Sequence, residues 1–393
     1  MPSVYIVAAK RTPFGAFGGK LKEFSAVDLG VHSAVATLAS IPKDVPISSV
    51  IYGNVLQTSS DTPYLARHVG LRAELPIATP ALTVNRLCGS GFQSLINGAH
   101  EILLGESEIV LTGGSESMSQ APFTMKGTSR FGIKYGQSPV LEDSLVETLT
   151  DKHISTPMGI TAENLAKKYH ITRKECDELA LRSQSLWNEA NLSARFHREI
   201  APIEIETKKG IEIVNCDEHP RKTTMESLAK LPNAFIKGGT VTAGNASGIC
   251  DGAASVLIAS SNAIQKFNLK PLAKVVSWGI VGVNPSEMGI GPVNAIKMAL
   301  EKANLKLQDM DIVEINEAFA AQYIAVEKEL GLDRSKVNLQ GGAIALGHPL
   351  AASGSRILGH LAHELQITGK KYAIGAACIG GGQGIAVILQ NTN

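Results

Sequence analysis

Asn85-Arg86-Leu87-Cys88-Gly89-Ser90-Gly91-Phe92 sets a cysteine at the mouth of a helix, with a Gly-Ser-Gly run directly behind it. Apolar residues recur at Phe92, Leu95, Ile96, Ala99, Ile102 and Leu103, the spacing of one helix face. Gly105 supplies the stop. A thiol placed there meets the positive end of the helix dipole, which favours its thiolate. The glycines let a ligand approach the backbone. The stretch therefore reads as a nucleophile on a platform, or as a small buried core residue, which many free cysteines are.

Working outward, 83–84 read as the strand entering this elbow and 108–112 as the strand leaving its helix, ending at Gly113-Gly114. Upstream, a strand over 4–8, a helix over 26–38, a strand over 49–52 closed by Gly53-Asn54 and a helix near 63–69 continue the alternation. Such alternation predicts a mostly parallel sheet covered by helices. From about 121 to 240 charges and turns multiply; helices fit 161–168 and 173–191, and 203–207 with 211–214 form a hairpin about Lys208-Lys209-Gly210. This segment reads as an insertion packed on the first domain. The run 239–248 brings the chain back, and 253–259 completes the first sheet. From 272 the alternation restarts, with strands over 272–278, 311–315, 372–377 and 385–389 and helices over 293–303, 318–330 and up to 365.

The two alternating parts read as copies. Val50-Ile51-Tyr52-Gly53-Asn54 parallels Val313-Glu314-Ile315-Asn316, and the two asparagines stand 262 positions apart. The strands beginning at Glu108 and Tyr372 are 264 apart, and at that offset Ala352 answers Cys88. The second copy thus lacks the thiol but carries Gly347-His348-Pro349 in a longer elbow. Two similar sheets with elbows facing one cleft bring both sets of side chains together.

Composition excludes several classes. At 393 residues the chain exceeds one ordinary core. With 44% hydrophobic and 19% charged residues it is globular. A net charge of +1 gives no reason to expect nucleic acid or an anionic membrane as partner. Five cysteines (Cys88, Cys176, Cys216, Cys250, Cys378) without paired spacing predict a reducing compartment and no metal site. The N-terminus enters a strand at once, with no signal-peptide pattern, and the apolar stretch at 373–389 is broken by Gly380-Gly381-Gly382-Gln383-Gly384.

Four residues carry candidate chemistry. His348 can take a proton from a nearby thiol, or be a hydrogen-bonded loop residue. Cys378 precedes a glycine run whose free N–H groups can hold an oxyanion, or it packs in the core. Asn316 can simply cap a helix. Together, two thiols and an imidazole suit acyl exchange between thiols of similar basicity, with one thiol moving a proton on the carbon beside a thioester.

Read along its length, the chain resembles the thiolases. The matching motifs are Asn85-Arg86-Leu87-Cys88-Gly89-Ser90-Gly91, Gly113-Gly114-Ser115-Glu116-Ser117-Met118-Ser119, Gly244-Asn245-Ala246-Ser247-Gly248, Asn316-Glu317-Ala318-Phe319, Gly347-His348-Pro349 and Cys378-Ile379-Gly380-Gly381-Gly382-Gln383-Gly384. In texture it is most similar to the mitochondrial type of 3-ketoacyl-CoA thiolase (acetyl-CoA C-acyltransferase). The resemblance implies an α/β thiolase fold: two similar βαβαβαββ-type halves in an α/β/α/β/α core. Residues 1–120 with 241–270 would form the first half, 121–240 a loop domain, and 271–393 the second half. It implies that Cys88 carries the acyl group, His348 activates it, and Cys378 is the acid/base. Asn316 (through a water) and His348 would form one oxyanion hole; the N–H groups of Cys88 and Gly380 would form the other. Met158, Arg221, Ser227, Phe235, Ala243, Ser247, Met288, Ala318 and Phe319 match positions around the coenzyme A channel, and Arg221 with Lys222 suit its phosphates, unless they are a solvated charge pair.

The implied reaction is reversible thiolysis of 3-ketoacyl-CoA in fatty acid β-oxidation. The alternative is a short-chain acetoacetyl-CoA thiolase (acetyl-CoA C-acetyltransferase) working in condensation. Pro157-Met158-Gly159 stands where acetoacetyl-specific thiolases resemble His-Met-Gly, which favours broader chains. Cys250 stands where Asn is common, and a packing change alone is expected. Coenzyme A and acyl-CoA enter as substrates, with no cofactor or metal and no membrane insertion. A homo-oligomer, a tetramer built from dimers with contacts near 131–145, is implied, in bacterial cytoplasm or mitochondrial matrix. A ketoacyl synthase is disfavoured by Cys378, and a CoA-binding protein without catalysis by the retention of all four candidate residues.

Overall fold

The computed structural model describes residues 3–125 and 127–393. Met1, Pro2 and Lys126, which the first-half and loop-domain ranges include, lie outside the described residues. Among the described residues the central sheet has ten strands, nine of them in one continuous path: β1 (Val4–Arg11), β2 (Ser49–Gly53), β3 (Ala81–Val84), β4 (Ile109–Ser117), β5 (Cys250–Ser260), β6 (Ala273–Gly282), β7 (Ile312–Ile315), β8 (Tyr372–Ile379) and β9 (Gln383–Asn391); the tenth, the two-residue strand Gly15–Ala16, pairs with β5 off that path. The main helices are α1 (Ala26–Leu38), α2 (Leu65–Arg72), α3 (Ser90–Leu104), α4 (Met158–Lys168), α5 (Arg173–Leu192), α6 (Gly291–Ala303), α7 (Ala320–Leu330) and α8 (Ala352–Thr368). Local chemistry sets many boundaries. Ser25 and Asp28 close a capping box at the start of α1, and Gly105, in the left-handed region, ends α3.

The strand order is β7-β8-β9-β6-β1-β5-β4-β2-β3. Read outward from the middle, each half repeats one order, and the pseudo-symmetry passes between β1 and β6. Two expectations change. The halves are not separate sheets, because β1 and β6 join through Val4–Val275, Tyr5–Lys274 and Ile6–Ala273. The mostly parallel reading, made for the first hundred-odd residues, does not extend over the whole first half. β2, β3 and β4 are parallel, whereas β5 runs antiparallel between β4 and β1. The long excursion before β5 frees it from the right-handed crossover that makes neighbours parallel.

The layering follows from which side chains share a core. Phe92, Leu95 and Ile96 of α3 and Ile357, Leu358 and Leu361 of α8 pack with strand residues of both halves, including Val110, Val256, Ala377 and Val387. α1 and α2 cover the outer face of the first half. α6 and α7 cover that of the second, joined there by Leu165, Leu179 and Ala180 of the insertion. The insertion therefore packs on the second half as well as the first, which it meets through Ile203 beside Leu21 and Leu29. A buried Arg11 guanidinium also holds the insertion, pairing with Glu199 at 2.7 Å and Asp217 at 2.6 Å.

The central helices cross where they begin. A Cβ on Gly91 would strike the Ser355 main-chain nitrogen, and one on Gly354 would strike the Phe92 nitrogen. Gly113-Gly114 does not end a strand: β4 continues to Ser117. Its glycines serve close approach, since a Cβ on Gly114 would collide with the Ala351 carbonyl.

Candidate active site

Cys88 sits in a tight turn one residue before the first cap of α3. Leu87 takes the left-handed region at φ 47°, a strained choice for a branched side chain. The turn is held by Gly89 N–H to Arg86 O (3.0 Å), Ser90 N–H to Leu87 O (2.9 Å) and Arg86 N–H to the Ser90 hydroxyl (2.8 Å). These bonds present the sulfur at the wall of a cavity of about 640 Å³. The main-chain N–H groups of Gly380 and Cys88 converge on that sulfur. Burial nonetheless pushes the thiol up to about 11, and Glu116 adds to the rise. The expected stabilisation by the helix end is outweighed, because desolvation penalises the charge and Cys88 precedes the first helical turn.

His348 comes from the other half. Its N–H donates to Gly248 O at 3.0 Å, and its ring is buried. Nδ1 lies 2.6 Å from the Ser353 hydroxyl, which itself donates to Pro349 O. Ser353 therefore accepts from Nδ1–H, so Nε2 keeps its lone pair. Nε2 lies 3.3 Å from the Asn316 amide nitrogen. Burial and the nearby Arg356 charge pull the imidazole down to about 3, so it rests neutral. Asn316 follows β7, its N–H bonded to Ala376 O at 2.9 Å. Its Oδ1 is buried with no hydrogen-bond partner among the described residues.

Cys378, on β8, packs with Met288, Ala318, Met158 and Phe319. Burial, then the neighbouring Cys88, hold its thiol well above the usual range. A Cβ on Gly380 would sit 3.2 Å from Leu87 and 3.3 Å from the Met158 sulfur.

The cavity wall includes Met158, Arg221, Phe235, Ala243, Ser247, Met288, Ala318 and Phe319 with Cys88, His348 and Gly380. Ser227 is not part of it; its hydroxyl and N–H complete a capping box with Thr224. Lys222 is also outside the wall. α7 begins at Ala320 rather than Ala318, because Phe319 is extended and bridges Ala246, turning both residues onto the wall. Sequence reading missed Thr148, Leu149 and Leu350, which stand in no quoted motif, Met118, which stands in one but was given no role, and His219, two positions before Arg221. Leu56, Met118, Leu145 and Leu350 form an apolar cluster against which Cys88 packs. No cluster of metal-ligating side chains occurs among the described residues, and no helix there is long and apolar enough to cross a membrane.

Residues 4–262 match the thiolase N-terminal domain and 269–391 the thiolase C-terminal domain. The human protein called mitochondrial 3-ketoacyl-CoA thiolase is 60% identical over 392 residues, covering 99% of this chain and 98% of that protein. A crystal structure of human mitochondrial 3-ketoacyl-CoA thiolase superposes with a TM-score of 0.98 at 59% identity, covering 100% of this chain and 99% of that one. A second, in complex with CoA, gives 0.96 at 59% identity, with 100% and 98% covered. With both halves matched and the fold shared from end to end, the chain belongs to the thiolase family.

Proposed function

We propose that this acyltransferase cleaves 3-ketoacyl-CoA with free coenzyme A in fatty acid β-oxidation, with Cys88 as the acyl carrier. The observation that supports the roles most directly is that Cys88 and His348, from opposite halves, line one cavity, while Cys378 is buried just behind its wall, packed on the lining residues Met288 and Ala318 and neighbouring Cys88. His348 Nε2 takes the Cys88 proton as the sulfur attacks the 3-keto carbon, which avoids a standing buried thiolate. The resulting oxyanion lies against the N–H groups of Cys88 and Gly380. The C2–C3 bond breaks and its electron pair moves into the thioester enolate, whose oxygen faces His348 and the Asn316 side. Cys378 gives its proton to C2, releasing acetyl-CoA. The thiol of free coenzyme A then gives its proton to the Cys378 thiolate and attacks the Cys88 thioester; the shortened acyl-CoA leaves, and the Cys88 sulfur recovers its proton from His348. Only thioesters and protons are exchanged, so coenzyme A is a substrate.

The apolar cluster beside Cys88 and the proline before Met158 support a broad chain range over a short-chain condensing enzyme. The division into 1–120 with 241–270, 121–240 and 271–393 is our working one. Exposed Phe131, Tyr135, Val140 and Leu141 support a homo-oligomeric contact around 131–145. The mitochondrial designation of the human relative supports the matrix as compartment.

The test is incubation with a 3-ketoacyl-CoA lacking free coenzyme A. One acyl group per chain should appear on the Cys88 peptide, with one equivalent of acetyl-CoA released. Cys88→Ala should lose turnover about 10⁴-fold or more. Acylation of any other residue, or turnover by Cys88→Ala, rejects the assignment.

A further inference from the structure

Glu116 is fully buried in β4, facing the loop that carries His348. Its carboxylate accepts four bonds. Oε1 takes Leu56 N–H at 2.9 Å and the Asn54 amide at 3.2 Å. Oε2 takes Ala351 N–H at 3.1 Å and Val55 N–H at 3.3 Å. Three donors belong to the first half; the fourth, Ala351, lies three residues after His348. The contact is supported by shape, because only a glycine at 114 admits the Ala351 carbonyl beside it. Leu56 and Leu350, one residue from the bonded N–H groups or bearing one, pack together in the cluster against which Cys88 sits.

We propose that Glu116 is a positioning residue that clamps the His348 loop of the second half onto the Cys88 half, and that its charge opposes thiolate formation at Cys88. Three observations carry this: four converging donors, the steric fit at Gly114, and burial that leaves the carboxylate unscreened by water. Its titratable neighbours are Asp251 and Cys250 on β5 and Cys88 on the elbow, and the loop it holds carries His348. Burial and Asp251 push its carboxyl up to about 8, against the pull of the Leu56, Ala351 and Val55 N–H groups. The charge is therefore fully present only above about pH 8.

Two variants separate clamp from charge. Glu116→Gln removes the charge and turns an NH₂ toward N–H donors. Glu116→Asp keeps the charge but is one methylene too short for Ala351. Turnover is read with acetoacetyl-CoA, and Cys88 reactivity as the pH dependence of iodoacetamide labelling, quantified on its own peptide by mass spectrometry. A misplaced imidazole should lower kcat about 10- to 100-fold in both variants, with KM changed less than about threefold. The labelling midpoint should move to lower pH in Glu116→Gln and stay in Glu116→Asp. Native-like kcat in both variants overturns the clamp, and an unmoved midpoint in Glu116→Gln overturns the electrostatic role. Should Glu116→Gln not fold, a Glu116→Asp enzyme of native kcat still overturns the clamp. The kcat arm rests on the thiolase reading; the labelling arm does not, so an inactive native protein rejects that reading and leaves labelling to judge Glu116.

Discussion

Asn54 and Asn316 end equivalent strands of the two halves and have diverged in use. The Asn54 amide is spent on the scaffold, donating to Ser115 O at 3.0 Å and to Glu116. The Asn316 amide faces the His348 ring, while its Oδ1 stays unpartnered among the described residues. The elbows differ likewise. The first half offers Cys88 before its central helix; the second opens that helix on Ala352 and brings a histidine from four residues earlier. What stayed alike is the crossing of the helices at Gly91 and Gly354, 263 positions apart. A duplicated fold kept symmetry where backbones touch and lost it where side chains face the cavity.

The largest effect should come from breaking what stayed alike. Gly91→Ala and Gly354→Ala each drive a Cβ into main-chain atoms of the partner helix, which cannot swing aside. Each should cost about 3 kcal/mol in denaturant unfolding, and the double variant less than the sum, since one shift relieves both. Similar losses at the two sites would sharpen the symmetry; a loss at one alone would break it. Next, Asn316→Ala should lower kcat about 100-fold with little change in melting temperature, as removal of an oxyanion group does. Asn54→Ala should do the reverse, losing about 1 kcal/mol of stability and little kcat. Equal kinetic losses would erase the distinction.

The smallest effect concerns pH. The folded His348 value lies near 3, below the usual value of about 6.5 for an unfolded chain. The unfolded state therefore binds the proton first. The stabilisation is complete above about pH 6.5 and is lost as pH falls toward 3. His348→Gln removes that term, so its melting temperature should fall less than that of the native protein between pH 6.5 and 4. Parallel curves would mean the imidazole is not held neutral.

Much of the scaffold was legible because it is written locally. The helix over 26–38, the Gly105 stop and the periodicity of α3 are readable without reference to the rest of the chain, and the structure places α1 and the end of α3 there. Misreadings fell where distant backbone decides. Gly113-Gly114 looks like a turn until the Ala351 carbonyl is seen against it, and Ala318-Phe319 looks helical until Ala246 pairs with it. Glu116 lay within a recognised motif, but its clamp joins positions 235 residues apart.

By itself the sequence determined the duplication, the elbow with its cysteine and the set of groups able to exchange an acyl chain, because periodicity, caps and motifs act over a few residues. Only the tertiary structure decided that the two sheets join through β1 and β6, that burial keeps Cys88 and Cys378 as thiols and His348 neutral, and that Nε2 is the unprotonated ring nitrogen, facing the Asn316 amide. Those outcomes depend on desolvation and on hydrogen bonds between segments remote in the chain, and neither exists before the halves close around the cavity.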